Sequence, residues 1–228
     1  MRFQDAARDA RAVVYAGIQA DPLVAGLATL LAEAEAEAEA AAAERWMARA
    51  VMNGERTDPK TWRRIFPSLF GEAAPAAVAA HAERLLAASL EVANRGEQVR
   101  SQYRGAVVEE LTARLLARRA GAVKRERRVL FDGVPAEIHP YDVTVESAER
   151  PEVYDCKWGA RGINADVLNQ LDDARAHAAE EEITLRVAIV VFDARRSAEL
   201  RLDRSTARHD ETRLVALESL DELAEADA

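Results

Sequence analysis

Apolar residues in the first ~95 positions recur at helical spacing, and none of that stretch shows the alternation of a strand. Asp21-Pro22 and Asp58-Pro59 each set a capping carboxylate before a proline, so helices are expected to begin near Pro22 and Pro59. From Leu23 the run LLAEAEAEAEAAAAERWMARAVM is rich in Ala and Glu, and its composition predicts one long helix to about Met52. Shorter helices are expected over 59–70, stopping at Gly71, and over 75–93. After Asn94-Arg95-Gly96 the character changes. GEQVRSQYRGAVVEELTARLLARRAG reads as an amphipathic helix with Val108, Leu111, Leu115 and Arg119 on one stripe. Strand patterns follow at 123–131 and 134–145, joined by Asp132-Gly133, the residue pair that a two-residue hairpin turn needs. A third strand is expected at 152–158, a helix at 164–179 and a nearly all-apolar buried strand at 185–192. A last strand is placed at 213–217, and Ser219 with Glu222 opens a C-terminal helix. The pattern therefore predicts an all-α region over 1–95 and an α/β domain over 96–228 that begins α-β-β-β-α-β and ends with a further strand and helix.

Composition narrows the class. With 228 residues, 49% of them hydrophobic and 31% charged, the chain can bury a core, and it has no apolar run long enough for a membrane span. The charged start MRFQDAARDA does not resemble a secretory signal, so a soluble, cytoplasmic protein without membrane partners is expected. The lone Cys156 excludes an intrachain disulfide framework and multi-cysteine zinc sites. The four histidines are scattered, and neither a Walker loop nor a G-x-S-x-G elbow occurs. The net charge of −9 argues against nucleic acid until its distribution is considered. Between 95 and 128 there are ten basic residues and four acidic ones, a local patch compatible with phosphate contact. Arg114, Arg118, Lys124, Arg125 and Arg127 are its candidate nucleic-acid contacts, with Arg161 further on.

Candidate chemistry lies in two strands. Asp142 sits in PYDVTV, and Asp155-Cys156-Lys157 follows with twelve residues between. Side chains alternate along a strand, so Asp155 and Lys157 share one face while Tyr154, Cys156 and Trp158 take the other. If the Asp142 strand pairs beside this one, two carboxylates and an ammonium converge, which suits a hard divalent cation and a phosphodiester. On the preceding helix Glu109 and Glu110 compete for a third place. Glu110 aligns with Arg114 and Arg118 as an exposed ion-pair face, whereas Glu109 aligns with Ala113 and Leu116, so Glu109 is the inward candidate.

From Gly105 to Phe192 these residues resemble the PD-(D/E)xK nuclease superfamily, particularly its Mrr-like restriction endonucleases and archaeal Holliday-junction resolvases. Gly105-Ala-Val-Val-Glu109 is similar to the family's first helix, where a glycine precedes the metal-binding acid by four positions. Asp142 matches the aspartate of the second core strand, Asp155-x-Lys157 the (D/E)xK of the third, and Gln170 a supporting glutamine on the next helix. The resemblance implies a restriction-endonuclease-like αβββαβ core with a mixed sheet. It also implies magnesium or manganese bound by Glu109, Asp142 and Asp155, with Lys157 positioning or activating water for phosphodiester hydrolysis, on DNA in preference to RNA. It does not cover the N-terminal helices. Their seam of Leu23, Leu27, Leu30 and Leu31 and their cluster of Trp46, Met47, Val51 and Met52 suggest a homodimer arm or, alternatively, a cap folded on its own chain. A non-catalytic nucleic-acid-binding or interaction protein on the same scaffold is the competing functional reading.

Overall fold

The computed structural model describes residues 1–6, 10–33, 38–135 and 139–225. The chain is α/β and divides into two compact units, one helical (Ala10–Leu111) and one built on a sheet (Met1–Asp9 with Thr112–Ala228).

The helical unit contains α1 (Ala10–Gln19), α2 (Pro22–Glu33), α3 (Ala38–Met52), α4 (Pro59–Ile65), α5 (Pro67–Phe70), α6 (Ala76–Ala93) and most of α7 (Glu97–Leu116). Its helix starts are locally encoded. Asp21 Oδ1 accepts the Leu23 amide at 2.8 Å, and the Asp58 carboxylate accepts the amides of Lys60 and Thr61 at 3.1 and 3.2 Å. The single helix expected from Leu23 to Met52 is instead described as α2 and α3, both packed on α6; residues 34–37 of the Ala-Glu run lie outside the described residues. Leu27, Leu31, Met47, Val51 and Met52 are fully buried. Leu23, Leu30 and Trp46 of the two apolar clusters are half-buried, so most of each cluster packs within the helical unit. The helix expected over 59–70 breaks at Pro67, which opens α5.

The sequence changes character at 95/96, whereas the two compact units divide between Leu111 and Thr112. Side chains explain the difference. The Tyr103 hydroxyl donates to Asp21, Arg100 donates to the Ala93 carbonyl at 3.2 Å, and the Arg95 guanidinium lies 4.2 Å from the centre of the Tyr103 ring. These contacts tie the first turns of α7 to α2 and α6.

The second unit is a seven-stranded mixed sheet formed by β1 (Arg2–Asp5), β2 (Val123–Phe131), β3 (Val134–Pro135), β4 (Tyr141–Val145), β5 (Glu152–Lys157), β6 (Arg186–Val191) and β7 (Arg213–Ala216). Their spatial order is β1-β2-β4-β5-β6-β7, with β3 beside β2. β2, β4 and β5 run antiparallel. β5, β6 and β7 run parallel, and β5 reaches β6 through α8 (Ala165–Glu180). The expected turn is present, with φ of 50° at Asp132 and 81° at Gly133, while residues 136–138 of the strand expected over 134–145 lie outside the described residues.

Three expectations for this unit are corrected. The N-terminus is not helical throughout: Arg2–Asp5 pairs antiparallel with β2, and an exposed four-residue edge strand leaves no alternation to read. A helix α9 (Arg195–Leu202, RRSAELRL) follows β6, too polar to announce itself by periodicity. The C-terminal segment Leu217–Leu223 is a 3-10 helix beginning before Ser219, whose hydroxyl accepts the Ala216 amide at 3.2 Å.

Arg119, placed on an apolar stripe by the sequence, earns its position through a buried ion pair. Its guanidinium donates to both oxygens of Glu152, at 3.0 and 2.6 Å, and to the Tyr154 hydroxyl at 3.0 Å. Burial pushes the Glu152 carboxyl up, but Arg119 and Tyr154 outweigh it and hold the group below its usual range. The stability from this pair is therefore present above the unfolded carboxylate pKa of 4.5 and is lost as pH falls through the lower folded value. Arg119→Ala strands a buried carboxylate, and chemical denaturation at pH 7 is expected to show a loss of about 3–5 kcal/mol.

Candidate metal and phosphodiester site

Strand pairing brings Asp142, Asp155 and Lys157 together. β4 and β5 pair from Val145–Glu152 to Val143–Tyr154. At the end of that ladder the Asp142 side chain takes over, its Oδ2 accepting the Cys156 amide at 2.6 Å. The expected alternation along β5 is observed. Tyr154 and Cys156 point toward Arg119 and toward Thr112, whose hydroxyl lies 3.5 Å from the Cys156 sulfur. On the other face the Lys157 ammonium is ion-paired with Oδ1 of Asp155, an atom sealed from solvent.

Burial pushes the Asp155 carboxyl above its usual range, against the pull of Lys157. For Lys157 burial works against the charge, but Asp155 and then Asp142 outweigh it and keep the side chain an ammonium. Held this way, Lys157 is suited to stabilising negative charge and is a poor proton acceptor at neutral pH.

The structure adds one carboxylate that the sequence did not single out. Arg125 pairs with Val143 and Arg127 with Tyr141, so Glu126 stands opposite Asp142 across the β2–β4 ladder. A carboxylate oxygen of Glu126 lies within 4.8 Å of one of Asp142. The Glu126 backbone has φ of 54°, a conformation L residues avoid. Like charges directly opposite on neighbouring strands repel, and a cation between them relieves the repulsion. An all-oxygen donor set of this kind matches a hard divalent ion and not a soft one.

Glu109 belongs to the helical unit, on α7. It is buried while Glu110 is half-buried. The Tyr15 hydroxyl donates to its Oε1 at 2.5 Å and Gln19 Nε2 to its Oε2 at 2.7 Å. Gly105 makes room for this arrangement: a Cβ there would stand 2.9 Å from the Tyr15 oxygen. Both donors are neutral, so they fix the direction of the carboxylate without cancelling its charge. Gln170 Nε2 donates to the His139 carbonyl at 3.1 Å, and the Gln170 backbone carbonyl accepts from the Tyr141 hydroxyl at 3.3 Å. The glutamine thus steadies the chain entering the Asp142 strand.

No family model matches the chain, and no curated protein or solved structure matches it.

The candidate nucleic-acid contacts fall into groups. Arg118, Lys124 and Arg161 are exposed, and Arg114 and Arg125 are half-buried. Arg127 is engaged by Glu146 at 2.5 Å and by Asp5. It ties β1 and the end of β4 to β2, so its replacement would disturb the sheet as well as any contact with phosphate. Among the described residues no single helix is long and apolar enough to cross a membrane.

Proposed function

We propose that the chain is a metal-dependent nuclease hydrolysing phosphodiester bonds, with DNA as its substrate class. One observation carries this reading: the Asp155–Lys157 pair meets Asp142 where the β4–β5 ladder ends. The resemblance noted in the sequence, and the order α7, β2–β3, β4, β5, α8, β6, support a restriction-endonuclease-like core as the finer description of the α/β unit. Asp142 and Asp155 would hold magnesium or manganese. Glu109 is assigned to the same role on the resemblance alone, and Gln170 to support. Such an ion supplies Lewis-acid polarisation of the phosphate and lowers the pKa of a bound water. Lys157, kept cationic by its two aspartates, stabilises the charge that develops on the phosphate oxygens. Cys156 contributes its amide, fixing Asp142 in place.

The test is cleavage of labelled DNA and RNA by the full chain with Mg2+, Mn2+ or EDTA. Metal-dependent cleavage that disappears in Asp142→Asn supports the reading. Binding of nucleic acid without cleavage under every condition favours the non-catalytic scaffold. Glu109→Gln should abolish activity while Glu110→Gln leaves it nearly unchanged; the reverse result would remove Glu109 from the site.

Binding is expected to fall steeply with salt, with a slope of about −0.9 per phosphate neutralised on duplex DNA. Charge reversal at the exposed Arg118 and Lys124 should reduce both the affinity and that slope, while the metal-induced thermal shift stays unchanged. Fluorescence anisotropy across a sodium chloride series reads both quantities. A flat affinity would contradict an electrostatic nucleic-acid surface.

A further inference from the structure

We propose that the turn at 159–163, with Gly162 as its contact point, is a positioning device for Lys157, backed by Asp193 and Arg201. The proposal rests on the reading of Lys157 as the residue that acts on the phosphate.

Gly162 closes a short 3-10 turn over Ala160–Gly162 directly after β5. A Cβ at this position would lie 2.8, 3.1 and 3.2 Å from Cδ, Cγ and Cβ of Lys157. Three successive carbons of the lysine stem therefore run against the bare Cα of the glycine. Gly162 is not among the positive-φ residues, so turn geometry does not demand glycine here. The close approach of the lysine does.

The turn is tethered on every side. Internally, the Gly162 amide donates to the Gly159 carbonyl at 2.9 Å and the Ile163 amide to the Ala160 carbonyl at 3.1 Å. Asp193, at the end of β6, accepts the Ala160 amide on Oδ2 at 3.1 Å and the Ala194 amide on Oδ1 at 2.9 Å. Arg201 of α9 donates from Nε to the Ile163 carbonyl at 2.9 Å, and the Ile163 side chain is buried in the core. The Phe192 amide donates to the Lys157 carbonyl at 2.8 Å, fixing the lysine backbone as well.

The chemical value follows from the side chain itself. Lysine is a point charge on a flexible four-carbon stem, and ordering that stem costs about 2 kcal/mol of rotamer freedom. A rigid wall meets that cost in the fold, before substrate binds. A misplacement of about 1 Å at such a group can reduce the rate roughly 10²-fold. Gly162, Asp193 and Arg201 thus act through Lys157 and touch no reacting atom.

The experiment compares Gly162→Ala with the wild-type full chain. Expected are a roughly 10²-fold fall in kcat, with KM and calorimetric Mn2+ affinity unchanged, and no further loss when the substitution is added to Lys157→Ala. In parallel, acetylation of Lys157 by an acylating reagent, followed by mass spectrometry, should be several-fold faster in Gly162→Ala, because the stem is displaced from its wall. Wild-type kcat in a folded Gly162→Ala, or full additivity with Lys157→Ala, overturns the proposal. If Gly162→Ala does not fold, Arg201→Gln replaces it and should show the same kcat fall and faster labelling in weaker form; unchanged values overturn the proposal. If the wild type cleaves no nucleic acid, the nuclease reading fails, while the labelling rates still decide whether Gly162 holds Lys157.

Discussion

Lys157→Ala is expected to abolish metal-dependent cleavage, by about 10²–10³-fold or more in kcat, the range seen when a donor aimed at developing charge is removed. The chain should remain folded, but its stability should fall more steeply with rising pH than the wild type's. Without the ammonium, Asp155 is left in a setting where burial already raises its carboxyl above its ordinary value of 3.8. A carboxyl whose folded pKa exceeds its unfolded one binds a proton more tightly when folded. Stability therefore declines as pH rises from 3.8 through the raised value, and the variant should melt lower at pH 8 than at pH 5. On the proposed function Asp155 must also lose its proton to hold a cation, so the acid limb of the wild-type pH–rate profile is expected above the ordinary carboxylate range. Thermal melts across pH and single-turnover rates test both points. Equal activity of the two chains would remove Lys157 from the mechanism.

Asp142→Asn should separate metal binding from folding. The asparagine carbonyl can still accept the Cys156 amide now bound at 2.6 Å, so the end of the β4–β5 ladder is preserved. Losing the charge removes the repulsion with the facing Glu126 and also the attraction that helps keep Lys157 protonated. The repulsion between facing strand positions is about 0.2–1 kcal/mol, the lost attraction to Lys157 opposes it, and the melting temperature in EDTA should change little. The response to metal should change completely. Wild type at a hundredfold excess of Mn2+ over its Kd should gain about 2.7 kcal/mol, and the variant none. A variant that retains the metal-induced shift would show that Asp142 is not a ligand.

Most of the local architecture was legible in the sequence because it is encoded by neighbours in the chain. Asp132-Gly133 adopts the two positive φ angles its turn requires, the aspartates before Pro22 and Pro59 cap helices, and the strand expected over 185–192 is found at Arg186–Val191, buried from Val187 on. Alternation placed Asp155 and Lys157 on one face, and helix phase chose Glu109 over Glu110 as the buried acid.

What the tertiary structure decided lies in pairings that no local pattern encodes. Counting back from the hairpin, where Phe131 faces Val134, would put Glu126 opposite His139; the β2–β4 register instead puts it opposite Asp142. That shift of three residues is why Glu126 could not be picked out in advance. The edge strand at Arg2–Asp5 is held by a partner more than a hundred residues away, and α9 matters through single bonds to a turn it does not adjoin in sequence. Periodicity reports which face of an element is apolar. It is silent on register, on the pairing of a short polar edge, and on the one glycine where a lysine stem comes to rest, because those depend on which distant backbone the folded chain brings alongside.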